Sequence, residues 1–307
     1  MKRRVSLPWA QEDWTGQDPA GVHPRLQDFL RSDRERGFDV GVAPLNRVEL
    51  IRLSDQEHQL VWSTHHLYVD GWSWPLIFRD VGAAYSARRV GSEPRLAVPC
   101  QYGAYIAWLA SAAPDSRSFW KERLAGFTSP TPLPFETTPG QDREAASREE
   151  SLRLSAEATS TLHRLARALQ VTLNTVVQGA WALVLSHLSE RDDVVFGAAF
   201  SGRPAELPGV DTLVGPCVNN LPVRVRIDPR KSASDALREL HEHGLEIGQH
   251  QYASLADIQQ WAGIPWKLRI FDSLVVFQNY LVGEGVRRWE TVDVEPLAVP
   301  EATNYPL

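Results

Sequence analysis

Gln59-Leu60-Val61-Trp62-Ser63-Thr64-His65-His66-Leu67-Tyr68-Val69-Asp70-Gly71-Trp72-Ser73 is the stretch that decides the fold. Its first half is β-branched and aromatic with some alternation, which predicts a strand. Gly71 breaks the pattern, and from Ser73 the residues Leu76, Ile77, Val81, Ala84 and Tyr85 recur at helical spacing. Two histidines therefore stand at a strand end, an acid follows in the turn, and a helix begins at once. Loops at strand ends are where sheet proteins often carry reactive side chains.

Three readings of the histidine pair compete on residue chemistry. Both can be packed, hydrogen-bonded core residues. A metal site would need His65, His66 and Asp70 to converge, but neighbours on a strand point to opposite faces and no Cys lies nearby. In the third reading one imidazole is reactive, with the other histidine and Asp70 in support. A neutral imidazole is suited to accept a proton from an amine or hydroxyl near neutral pH.

Working outward, Arg47–Leu53 and Gln59–His66 form a predicted β-hairpin over the polar turn Ser54-Asp55-Gln56-Glu57. Residues 5–9 fit a short strand, and Leu26, Phe29 and Leu30 share one face of a helix that ends near Gly37. Tyr102, Tyr105 and Trp108 lie on an amphipathic helix at 101–110. Residues 129–148 hold Pro130, Pro132, Pro134 and Pro139 without apolar periodicity, a linker that divides the chain into 1–128 and 149–307.

The second part reads as a strand at Glu150–Leu154 and a helix capped by Ser155 with Leu162, Leu165, Ala166 and Leu169 inward. Another helix follows from Thr172, with Val176, Val177, Ala180, Trp181, Val184 and Leu188 inward. Strands are predicted at Asp193–Phe200, Leu221–Ile227 and Ser273–Asn279, with a helix at Ser234–His250. Mixed helix and strand in both parts implies an α/β fold of two similar lobes.

Composition sets the class. With 43% hydrophobic and 23% charged residues among 307, the chain can bury a large core. A net charge of −6 gives no basic footprint for nucleic acid. Cys100 and Cys217 match no metal spacing, and one cysteine pair in so long a chain suits a reducing cytoplasm. The start lacks the apolar run of a signal peptide, and no stretch is long and apolar enough to span a membrane.

His65-His66-x-x-x-Asp70-Gly71-Trp72-Ser73 resembles the signature of nonribosomal peptide synthetase condensation domains. The wider superfamily, which includes chloramphenicol acetyltransferase, has a shorter His-x-x-x-Asp core. Further segments follow in family order. Tyr102-x-x-Tyr105-x-x-Trp108 resembles a Tyr-x-Asp-Tyr-x-x-Trp motif with Ala104 in place of the acid, and Phe119-Trp120 to Gly126 is similar to Phe-Trp-x-x-x-Leu-x-Gly. Ser201-Gly202-Arg203-Pro204, then Val214 to Arg224, resembles Gly-x-x-x-Asn-Thr-Leu-Pro-x-Arg with Asn220 for Thr. His250-Gln251 starts like His-Gln-Asp-x-Pro-Phe and then departs, while Phe271 to Tyr280 matches well.

The resemblance implies two chloramphenicol-acetyltransferase-like lobes facing across a channel, the first truncated at its N-terminus and the second at its C-terminus. It implies an acyltransferase that forms a peptide bond between a donor thioester and an acceptor aminoacyl thioester. Upstream and downstream peptidyl carrier proteins would bring these on phosphopantetheine, beside an adenylation domain, with no cofactor or metal bound by this chain. His66 aligns with the active histidine, His65 with its structural neighbour, and Asp70 with an acid paired to arginine. Gly71 would admit a tight turn. Trp72, Ser73, Asn219 and Asn279 would line the channel. Asn219 also reads as a plain turn residue before a strand. An early Arg-His-x-x-Leu-Arg motif is missing, so Asp70 is expected to lack an arginine from the first lobe and the isolated piece to be a poor enzyme. Epimerization domains share the fold, and a non-catalytic docking module is the rival of another class.

Overall fold

The computed structural model describes residues 5–16, 18–134, 150–278, 288–289 and 292–295. It forms two compact units that are discontinuous in sequence. One comprises residues 1–102, 209–217 and 282–294; the other comprises 103–208, 218–281 and 295–307. These units are drawn differently from the division at 129–148. Residues 103–127 pack with the second unit, where Trp120 and Leu124 are core residues, and residues 209–217 pack with the first.

The first unit holds a three-stranded sheet in the order β1 (Trp9–Asp13), β2 (Asn46–Arg52), β3 (His58–Thr64). β2 and β3 are the expected hairpin, in antiparallel register from Asn46↔Thr64 to Arg52↔His58. β1 runs parallel to β2 and begins later than the apolar pattern at 5–9 suggests. The reason is Pro8, which has no N–H to donate; its carbonyl accepts from Val48 N and the ladder starts after it.

Helix α1 (Pro19–Arg36) starts at Asp18, whose carboxylate accepts from Ala20 N, and ends at Gly37 with φ 57°. Its apolar face meets Trp14 and Ile51 through Leu26, with Phe29 and Leu30 beside them. Helix α2 (Ser73–Arg89) packs on β3 through aromatics: Trp62 meets Trp74 edge-on at 5.5 Å, and Trp74 stacks on Phe78 at 5.7 Å. The short pair β7 (Arg288–Trp289) and β8 (Val292–Asp293) belongs to this unit, and Trp289 lies where a Cβ on Gly82 would sit, 2.5 Å away.

The second unit holds a sheet in the order β5 (Asn219–Arg226), β4 (Asp193–Phe200), β6 (Leu274–Val275). β4 pairs antiparallel with β5 and parallel with β6. Helices α3 (Tyr102–Ser111), α4 (Arg117–Arg123), α5 (Ala156–Leu169), α6 (Leu173–Ser189), α7 (Ala233–Gln249) and α8 (Leu255–Trp261) complete the described helices. Val194, Phe196, Leu221, Val223, Leu240, Ile247, Ile258 and Phe271 form the core. Gly197 is required in β4, because a Cβ there would lie 2.3 Å from the Phe271 ring.

Three expectations change. Glu150–Leu154 forms no ladder among the described residues, and Leu152 is exposed. Among its described residues, the strand expected over Ser273–Asn279 pairs only at Leu274–Val275. Helix α6 is rotated from its expected facing: Thr175, Gln178, Ala182 and Leu185 are buried, while Val177, Val184 and Leu188 are about two-fifths exposed. The small side of α6 faces α7, where a Cβ on Gly179 would lie 2.6 Å from Leu237, and Thr175 meets His241. Close helix approach and these hydrogen bonds outweigh the apolar periodicity. The head of the expected linker is likewise packed: Thr131 is buried, and its hydroxyl accepts from Val195 N and donates to Val195 O. Residues 135–149 lie outside the described residues.

Candidate active site

Strand β3 ends at Thr64, so both histidines fall in the turn beyond it. His65 N still donates to Leu45 O at 2.9 Å, and the His65 carbonyl accepts from Tyr68 N, closing the turn. The His65 ring is committed. Its Nδ1 accepts from Leu67 N at 3.1 Å, which puts the proton of a neutral ring on Nε2. Its edge meets Phe38 at 6.3 Å, and the Arg47 guanidinium lies 4.3 Å from the centre of the same Phe38 ring. His66 is exposed.

Arg47 is itself fixed. Nε donates to Asp33 Oδ1 at 2.6 Å, Nη2 to Asp33 O, and Nη1 to Gly37 O. Ser63, two residues before His65, donates to Asp33 Oδ2. Burial pushes the Asp33 carboxyl up, but hydrogen bonds from Arg47, Ser63 and Arg36 together hold it below the usual carboxylate range. The base of the histidine turn is thus tied to α1 and β2 by one half-enclosed ionic cluster.

Asp70 is buried, at 5% exposure. Its Oδ1 accepts from Ser73 N at 3.0 Å and from Ser73 Oγ at 2.8 Å, and its Oδ2 accepts from Cys217 N at 3.0 Å. A carboxylate at the start of α2 is also favoured by the helix dipole. These serine and backbone donors favour the charged carboxylate, and Arg79, on the helix that follows, bonds Asp80. Gly71 and Trp72 form the turn between Asp70 and α2, with Trp72 half exposed.

The expected channel-lining residues divide. Ser73 has 0% exposure, and its hydroxyl is enclosed between Asp70 and Gly215. Asn219 spends its side-chain amide on Gln251 O at 2.9 Å and Ala253 O at 2.7 Å, so it clamps the start of β5 to the loop after α7. Asn279 lies outside the described residues. Among the described residues no three His, Cys, Asp or Glu side chains converge as a metal site requires. Among them, too, no single helix is long and apolar enough to cross a membrane.

Residues that sequence reasoning missed are Gly215 and Cys217, which reach Asp70 and Ser73 across 142 to 147 positions of chain. Tyr102, read only as part of a motif, donates to Pro216 O at 3.1 Å. Burial, with Cys217 and Asp70 close by, raises the Tyr102 phenol above its ordinary value and keeps it a donor.

The sequence model of the condensation domain matches residues 5–305. A linear gramicidin synthase of Brevibacillus parabrevis is 40% identical over 287 residues, covering 91% of this chain but 4% of that protein. The chain therefore spans a small part of the synthetases it matches. The X-domain from teicoplanin biosynthesis superposes with a TM-score of 0.72 at 25% identity over 88% of this chain and 61% of that one, and has been solved in complex with OxyB. The first condensation domain of the calcium-dependent antibiotic synthetase, at 23% identity and a TM-score of 0.68 over 89% of this chain and 60% of that one, shows the shared fold. The histidine turn, the buried acid behind it and a family match over almost the whole length agree: the chain belongs to the condensation domains of nonribosomal peptide synthetases.

Proposed function

We propose that this chain catalyses peptide-bond formation between two carrier-bound thioesters, with His66 as the working imidazole. The observation that carries this is the division within the histidine pair: the His65 ring is occupied by Leu67 N and Phe38, whereas His66 is exposed on the same turn. The neutral α-amine of the acceptor attacks the donor carbonyl. A C–N bond forms, the C–S bond breaks, and the proton lost by the amine passes by way of His66 to the departing phosphopantetheine thiolate. General-base assistance contributes on the order of 10²–10⁴-fold, and holding the amine in line contributes through orientation. Asp70 and Gly71 fix the turn, and Trp72 stands at its exposed edge.

The partners in this reading are the upstream and downstream carrier proteins, whose phosphopantetheine bears both substrates, and the adenylation domain that loads them, all in the cytoplasm. The test mixes the complete condensation protein with donor-loaded and acceptor-loaded carriers and follows the acceptor carrier by intact mass. A dipeptidyl thioester on that carrier is expected. Inversion of the donor Cα without transfer would assign epimerization instead. A docking module is the second reading, supported by the likeness to the X-domain that has been solved in complex with OxyB; carrier binding with no product in the same assay would select it.

A further inference from the structure

The short segment Gly209–Cys217 joins the first unit as a strap. Thr212 Oγ1 accepts from Cys100 N at 3.0 Å, Leu213 is fully buried, and Tyr102 holds Pro216 O. The Tyr102 ring also lies against Gly215, where an added Cβ would meet it at 2.4 Å. The strap thus presents two amides to the base of α2: Gly215 N donates to Ser73 Oγ at 3.0 Å, and Cys217 N to Asp70 Oδ2 at 3.0 Å. A serine hydroxyl has one proton and two lone pairs. Here the proton goes to Asp70 Oδ1 and a lone pair takes the Gly215 amide. The Ser73 side chain therefore touches both the acid and the strap.

We propose that Ser73 is a positioning residue for the reaction. It holds Asp70 and the strap in one register, and through Asp70 it sets the end of the turn that carries His66. Tyr102 and Gly215 form the second half of this lock, the ring filling the space that a side chain at 215 would occupy. The proposal rests on the reading of His66 as the working imidazole, but its exchange arm does not.

The test uses the complete condensation protein. In Ser73→Ala, amide exchange followed by NMR should quicken about tenfold or more at both Gly215 and Cys217, the scale of one lost charge-assisted hydrogen bond. Turnover should fall by a similar factor, with KM for the acceptor-loaded carrier unchanged. Exchange unaltered at Cys217, or activity unaltered, would overturn the proposal. Should Ser73→Ala not fold, Tyr102→Phe removes the bond to Pro216 O and is expected to quicken Cys217 exchange with Ser73 intact; unchanged exchange there overturns it equally. Gly215→Ala should lose turnover and recover part of it when combined with Tyr102→Ala, which removes the ring atoms that the new Cβ would meet. Full turnover in His66→Ala would instead remove the reading of His66 and leave the exchange result standing.

Discussion

Asp70→Asn probes the buried carboxylate with the least change of shape. Asparagine retains one carbonyl oxygen, which can still accept from both Ser73 N and Ser73 Oγ, the donors now on Oδ1. Its amide group then replaces Oδ2 and faces Cys217 N, a donor against a donor at 3.0 Å. Losing a hydrogen bond to a charged acceptor costs about 1.5–3 kcal/mol, and leaving a buried donor unsatisfied costs about 1–3 kcal/mol more. Removing the charge relieves some desolvation at a site only 5% exposed, which offsets part of this. The net loss should be about 2–4 kcal/mol. Urea unfolding followed by tryptophan fluorescence reads it, since Trp72 and Trp74 flank the site in sequence. A change below about 0.5 kcal/mol, the size of an ordinary surface substitution, would refute the argument that these donors stabilise the charged form.

Asp33→Asn should destabilise the protein by about 3 kcal/mol at pH 7 by breaking a largely enclosed pair with Arg47. Because the folded carboxyl is held below its ordinary value, this stability is present above the unfolded pKa and fades as pH falls through the folded one. The difference between variant and parent should therefore shrink below about pH 4; a constant difference in acid would contradict the assignment. His243 and His250 are both held below the ordinary imidazole value, chiefly by burial. The unfolded chain then binds protons that the folded one refuses, so unfolding free energy should drop as pH falls from 7 towards 5. Replacing both by Gln should flatten that slope, and an unchanged slope would exclude them as its source. Asn219→Ala should cost about 1–3 kcal/mol, and Asn219→Asp no less, because a carboxylate would face two carbonyls; unshifted melting temperatures would dismiss the clamp.

What is legible in the sequence is local. The β2–β3 hairpin follows from alternation around a polar turn, α1 from the shared face of Leu26, Phe29 and Leu30 and its end near Gly37, and α5 and α6 from their starts at Ser155 and Thr172. The parallel partner of β1 is not legible, because parallel pairing leaves no mark in the residues between. Periodicity misplaces the facing of α6 because apolar period speaks of transfer from water, whereas the packing side is set by Gly179, small enough for α7 to approach, and by Thr175, which meets His241 there. The site divides in the same way. His65, His66 and Asp70 stand together in one motif, but the donors that hold Asp70 come from Ser73, which the motif suggests as a channel residue, and from Cys217 far along the chain. Only a fold brings those together.

The central claim is that of two adjacent histidines, one works and one holds the turn. Its most direct measurement is single-turnover dipeptide formation by the complete protein in His66→Ala and His65→Ala, with both donor and acceptor carriers preloaded and a chelator present in parallel samples. His66→Ala should lose about 10²-fold or more while remaining folded, His65→Ala should lose less, and the chelator should change neither. Undiminished turnover in His66→Ala, or a loss confined to His65→Ala, would contradict the account.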